Sequence, residues 1–169
     1  MSELAEILVG DGYATPPKRI LDGLVSSETG DALTHQKPAG APHSIYEELW
    51  HVVFWQRITL EWIIGIETPY PKSSLDGFPT VLDLEKEPFG ALCERYFDGL
   101  TAAVEAATDT SRHDREIRCP SRPGQPMRAM TVLEQLQNLA AHNAYHLGRI
   151  VLLRQLLGVW PPPSGGDSW

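Results

Sequence analysis

Cysteine is scarce. Cys93 and Cys119 are the only two in 169 residues, far apart and outside any C-x-x-C spacing. They read as reduced thiols, and a disulfide framework is excluded. Long apolar runs are missing too: no stretch reaches the roughly 20 residues needed to span a bilayer. Positive charge is in deficit, with 14 Lys and Arg against 22 Asp and Glu and a formal net charge of −8. An acidic surface repels phosphate backbones and anionic lipid, which argues against nucleic-acid and membrane partners. The first residues, Met1-Ser2-Glu3-Leu4-Ala5-Glu6, carry acids where a secretory leader needs cations, so the cytoplasm is expected. Strand-like alternation is absent, and there is no internal repeat.

Hydrophobic residues make up 42 % and charged residues 21 %, enough for one core in one domain spanning 1–169. Four segments have helical periodicity. The first is short: Pro16 and Pro17 open it, and Ile20, Leu21, Leu24 and Val25 form its stripe. Residues 26–43 read as a loop. Ser44-Ile45-Tyr46-Glu47 is a capping box that opens a second helix running to Gly65. Thr68-Pro69-Tyr70-Pro71 forbids continuation, and 66–82 is a long connector. A third helix starts near Glu87-Pro88 and carries Phe89, Leu92, Tyr96, Leu100 and Val104. Residues 109–130 form a second long connector, with a weak signal for a short hairpin. Thr131-Val132-Leu133-Glu134 is another capping box, and the helix it opens stops at Gly158. The expectation is an all-α four-helix bundle with long second-to-third and third-to-fourth connectors. The segment 161–169 cannot be helical. It is either a frayed end or a stem that docks back through Trp169.

The histidines stand out against this frame. His142 and His146 are four apart, on one face of the fourth helix. Such a pair is weak alone, since chance gives roughly 0.2 of them in a chain with this many histidines. Its setting strengthens it: Leu139, His142, His146, Ile150, Leu153 and Leu157 step by 3, 4, 4, 3 and 4, one inward stripe. On the second helix Glu47, His51, Phe54, Ile58 and Trp62 form a similar stripe. In an up-and-down bundle these two helices run parallel, which puts the three histidines at similar depth. Buried imidazoles need partners for both nitrogens, and one divalent ion supplies a partner to all three. Satisfied core histidines are the plainer reading of any one of them. Three neutral histidines leave a coordination position open, the pattern of catalytic sites. Neither cysteine falls on these stripes.

The residues Trp50-His51-Val52-Val53-Phe54-Trp55-Gln56 and His142-Asn143-Ala144-Tyr145-His146-Leu147-Gly148-Arg149, with the tail Trp160-Pro161-Pro162-Pro163-Ser164-Gly165-Gly166-Asp167-Ser168-Trp169, resemble the DinB/YfiT-like superfamily of bacterial helical-bundle metalloproteins. The resemblance covers nearly the whole chain. It implies a four-helix bundle and a three-histidine site for one divalent metal, zinc first and nickel as the alternative. Better-understood relatives are thiol-dependent transferases and isomerases using mycothiol, bacillithiol or glutathione, and others are metal-dependent hydrolases. Relatives often carry Gly-Gln after the second ligand, where this chain has Gly148-Arg149.

The spacing His142-Asn143-Ala144-Tyr145-His146 is that of H-E-x-x-H without its glutamate. A hydrolase would need its base elsewhere, from Glu47 or Glu48. Their plainer roles are capping partner for Glu47 and solvated first-turn acid for Glu48. A thiol transferase needs no such base, because the ion itself deprotonates a thiol. Arg149 is a candidate for the thiol's carboxylate, or else a solvated, snorkelling side chain. Arg112, Arg115, Arg118, Arg122 and Arg128 crowd the 109–130 connector as a solvated loop or an anion-binding lid. Trp50, Trp55 and Trp62 read as core or as the surface of a homodimer. The function expected is a metal-dependent thiol S-transferase with a small-molecule substrate. A hydrolase and a non-enzymatic metal-binding stress or interaction protein are the alternatives.

Overall fold

The computed structural model describes residues 2–10, 14–25 and 28–165, with the side chains of residues 28 and 29 left out. Seven helices occur among them: α1 (Glu3–Val9), α2 (Pro17–Ile20), α3 (Glu28–Thr34), α4 (Ile45–Ile63), α5 (Val81–Lys86), α6 (Phe89–Thr108) and α7 (Val132–Leu156). The bundle is built by α4, α6 and α7 with the short α1 packed on α6 and α7. No helix is long and apolar enough to cross a membrane.

Both expected capping boxes form. Ser44 accepts from Glu47 N while Glu47 returns to Ser44 N at 2.8 Å. Thr131 and Glu134 repeat the exchange at α7. Pro88 cannot cap α6 with a side chain, so Asp31 of α3 does, accepting from Phe89 N at 3.0 Å.

Three expectations need correction, and one weak signal is realised. The bundle's first member is α1 at Glu3–Val9, capped by Ser2, while the Pro16–Val25 segment forms only the single turn α2. The seven residues of α1 are too few for a periodic signal to emerge. Residues 26–43, expected to be a loop, contain α3. The 109–130 connector feeds an antiparallel hairpin of β1 (Glu116–Cys119) and β2 (Arg128–Thr131), with Glu116 opposite Thr131 and Cys119 opposite Arg128. The weakly signalled hairpin is thus present, and the fold is otherwise helical as expected.

The third correction concerns direction. Glu48 meets His146, His51 meets His142 and Thr59 meets Gln135, so α4 and α7 run antiparallel. Tyr46 packs on Phe89 and Gln56 on Gly99, so α4 and α6 run parallel. A parallel pair requires the intervening chain to travel the bundle's length. Residues 64–88 do so, through a 3-10 turn at Ser74–Gly77 and then α5. The long second-to-third connector is that crossover.

Gln56 is buried against Gly99, and a Cβ at 99 would overlap its amide. Ordinarily Gly→Ala inside a helix gains up to about 1 kcal/mol. Overpacking costs about 1–3 kcal/mol and should win here. Gly99→Ala is therefore expected to lower the urea midpoint, and a raised midpoint would show that the α4–α6 seam has room to yield.

Candidate metal centre

His51, His142 and His146 come together where the first turns of α4 cross the middle of α7. One ring nitrogen from each lies within 4.8 Å of the others. His51 Nε2 and His142 Nε2 are 3.2 Å apart. Two nitrogens bound tetrahedrally to one ion at 2.0–2.1 Å would be about 3.4 Å apart. The spacing therefore fits a shared divalent ion. Despite the antiparallel helices the convergence holds, because α7 is the longer helix and its middle reaches the start of α4.

The ring orientations are fixed from behind. His51 Nδ1–H donates to the Gly77 carbonyl at 2.7 Å, which leaves Nε2 with its lone pair towards the cluster. His146 Nδ1–H donates to Glu48 at 2.7 Å, and its Nε2 is likewise free. A carboxylate or carbonyl behind each ligating imidazole is what sets tautomer and direction in metal sites. His142 Nδ1 is buried without a carboxylate or carbonyl behind it among the described residues, and the neighbouring Asn143 side chain is the group that bears on it. Phe78 stacks on His51 with ring centroids 4.3 Å apart, and His43 stacks on the opposite side of the pair at 4.0 Å from Phe78. Gly77 lets this loop descend: a Cβ there would stand 3.3 Å from His51 Nδ1 and 3.4 Å from Trp55 Nε1.

Glu48 is not the solvated acid the sequence suggests. It is fully buried, and its other oxygen pairs with Arg149 Nη2 at 2.7 Å. The reason is register. Ile45, Glu48, Val52, Gln56, Thr59 and Ile63 step by 3, 4, 4, 3 and 4, and every member is buried. Three polar residues on that stripe disguise it as a surface. Glu47 lies one position off the face and does only what the capping box requires, with Lys37 adding an ion pair at 2.8 Å. Arg149 is committed to Glu48 and touches Tyr145. Of the three candidates for chemistry, then, Glu48 and Arg149 brace His146 and Glu47 caps a helix.

Burial pushes the His51 imidazole down to about 4 and the His142 imidazole down to about 3, with neighbouring imidazoles adding to the effect. Both are neutral at pH 7, as ligands must be. The native state refuses protons that the unfolded chain accepts near 6.5. Stability of the metal-free chain is therefore whole above that pH and falls as the pH drops towards 4. The urea midpoint of chelator-treated protein should fall between pH 7 and 5 more steeply in the parent than in His142→Gln. Equal slopes would remove this residue from the account.

Two cavities open on the imidazoles. One of about 310 Å³ touches His51 and is lined by Trp55, Tyr70, Lys72, Phe78 and Arg122. The other, about 440 Å³, touches His142 and is lined by Trp55, Trp62, Tyr70, Arg128, Gln135 and Asn138. Trp55 and Tyr70 line both, their ring centroids 5.1 Å apart. Among the described residues no Asp or Glu lines either cavity. A larger groove of about 640 Å³ between α4 and α6 touches none of the three imidazoles. Cys93 and Cys119 are buried and unpaired with each other; burial pushes the Cys93 thiol up to about 12 and Cys119 in the same direction. Neither offers a thiolate to the site. Trp169, the residue expected to dock or fray, lies outside the described residues.

No curated protein and no solved structure matches the chain. The family model of the DinB superfamily matches residues 19–150, a span that contains all three clustered histidines, Glu48 and Arg149. With that span covering most of its length, the chain belongs to the DinB superfamily.

Proposed function

We propose that the chain is a metal-dependent thiol S-transferase that holds one divalent ion, zinc or alternatively nickel, through His51, His142 and His146. The observation that carries the reading is that no carboxylate of the described residues lines the two cavities over the imidazoles. A metal hydrolase of the zincin type needs a carboxylate base beside its water. Here Glu48 is committed to His146 and Arg149, and Glu47 to the Ser44 amide.

Bound by three neutral imidazoles, an ion would keep its full charge and acidify a thiol without further help. In the transfer, the thiol proton passes to solvent and the sulfur's electron pair forms a bond to an electrophilic carbon. The leaving group departs with its bonding pair. Glu48 and the Gly77 carbonyl hold two of the ligand rings in place, and the Glu48 charge is balanced by Arg149. Trp55, Tyr70 and Phe78 give the cleft apolar walls that keep water from competing with sulfur. Small-molecule thiols of a reducing cytoplasm are the co-substrates that suit two unoxidised cysteines.

The test uses cobalt-substituted, untagged protein. Adding glutathione, bacillithiol or mycothiol should produce a sulfur-to-cobalt charge-transfer band in the near ultraviolet. A cobalt-loaded protein whose spectrum none of these thiols alters would end the transferase reading.

A further inference from the structure

Two arginines of the 109–130 connector have no counter-charge among the described residues. Arg118 pairs with Glu67, and Arg115 donates to the Ile63 carbonyl. Arg112 lines the outer groove with Glu105 and Asp109. Arg122 and Arg128 enter no ion pair among the described residues, and neither does Lys72. On a chain of net charge −8, uncompensated cations gathered at one opening run against the general trend of the surface.

They are also held in place. Arg122 lies over the Tyr70 ring at 6.0 Å and Arg128 over the Trp62 ring at 5.9 Å. Stacking on a ring face restrains a guanidinium yet leaves the N–H donors at its edge available. Arg122 lines the cavity over His51 and Arg128 the cavity over His142. Both line a third hollow of about 290 Å³ with Ser121 and Gln125. Tyr70 lines all three, so the hollows adjoin around one ring. A planar fork of donors is the natural partner of a carboxylate.

We propose that the substrate reaching the imidazoles carries a carboxylate, bound by Arg122 and Arg128. The inference rests on the transferase reading for the identity of the reacting end, where sulfur or electrophilic carbon lies at the histidines. The carboxylate belongs either to the thiol or to the electrophile. Arg122 and Arg128 then determine which molecules enter, and they take no part in bond making.

Calorimetric titration of the metal-loaded protein decides this with four probes. S-methylglutathione stands for a thiol that cannot coordinate, and benzoate for a carboxylate without sulfur. The N-acetyl diethyl ester of S-methylglutathione and benzamide are their neutral counterparts. At least one acid should bind, at least tenfold more tightly than its neutral counterpart. The double variant Arg122→Gln/Arg128→Gln should lose at least tenfold in that affinity, with metal content and helical circular dichroism unchanged. Binding by S-methylglutathione assigns the carboxylate to the thiol, and binding by benzoate assigns it to the electrophile. Equal affinity in the double variant, equal affinity for the neutral probe, or no binding of either acid would overturn the proposal. Metal-stripped protein run in parallel separates the two readings. Acid binding there, in a chain that cannot be reloaded with metal, would sink the transferase reading and leave the arginine site standing. A metal-loaded chain that ignores both acids would do the reverse.

Discussion

Replacing His142 and His146 together by alanine should take the protein from about one divalent ion per chain to none, by plasma mass spectrometry on untagged material. The single residue His51 then tests the geometry, because its Nε2 stands 3.2 Å from that of His142. His51→Ala should leave a two-nitrogen site that loses its ion on dialysis. Full retention in that variant would mean that the third nitrogen comes from elsewhere. Folding of the variants can be followed separately by the helical signal. Neither His142 nor His51 is fully buried, so alanine leaves shallow defects there. His146 is different, since its loss leaves Glu48 with Arg149 as its one partner. If parent and double variant are both metal-free, even after reconstitution, the three imidazoles are packing groups and the proposed enzyme falls with them.

Glu48→Ala should produce the largest combined effect of any residue outside the histidines. Removing one member of a buried charge pair costs about 3–5 kcal/mol when its partner is left dry. Arg149 retains 31 % side-chain exposure and can turn to water, so the low end, ~3 kcal/mol, is expected. At this chain length that lowers the thermal midpoint by roughly 6–12 °C. Metal affinity should fall about 10- to 100-fold as the His146 ring loses its brace. Glu48→Gln keeps an acceptor for Nδ1–H and should recover most of the metal affinity without recovering the charge balance. Glu47→Ala is the control one residue away. It should cost about 1 kcal/mol through the lost cap and leave metal binding alone. A Glu48→Ala protein that binds metal like the parent would reduce the carboxylate to a packing element.

The parts legible in the sequence were those written in local chemistry. Ser44 and Thr131 announced α4 and α7 because a capping box is completed within four residues. The His142/His146 pair was legible because one helix turn fixes both. Glu48 was misread because Gln56 and Thr59 share its stripe, and buried polar residues erase the contrast that periodicity needs. Arg149 was read towards a ligand because its partner sits on another helix. Direction was beyond local reading: whether α4 runs with or against α7 depends on the crossover at 64–88, whose path is set by packing. The Gly77 carbonyl and the Phe78 ring lie on that crossover. They belong to the site through tertiary contact, and a main-chain carbonyl leaves no residue-type signal at all.

The clustered histidine that α4 supplies and the first that α7 supplies are 91 residues apart in the chain. A ribosome makes His51 long before His142 exists, and α6 is complete in between. No nascent chain can assemble the trio until α7 has been synthesised and has folded back against α4. Long-range closures of this kind come late, after local helices have formed. An ion would thus enter a bundle already built, adding to its stability by mass action rather than directing its early collapse. Starving cells of metal during growth should therefore yield folded, empty protein that fills when metal returns.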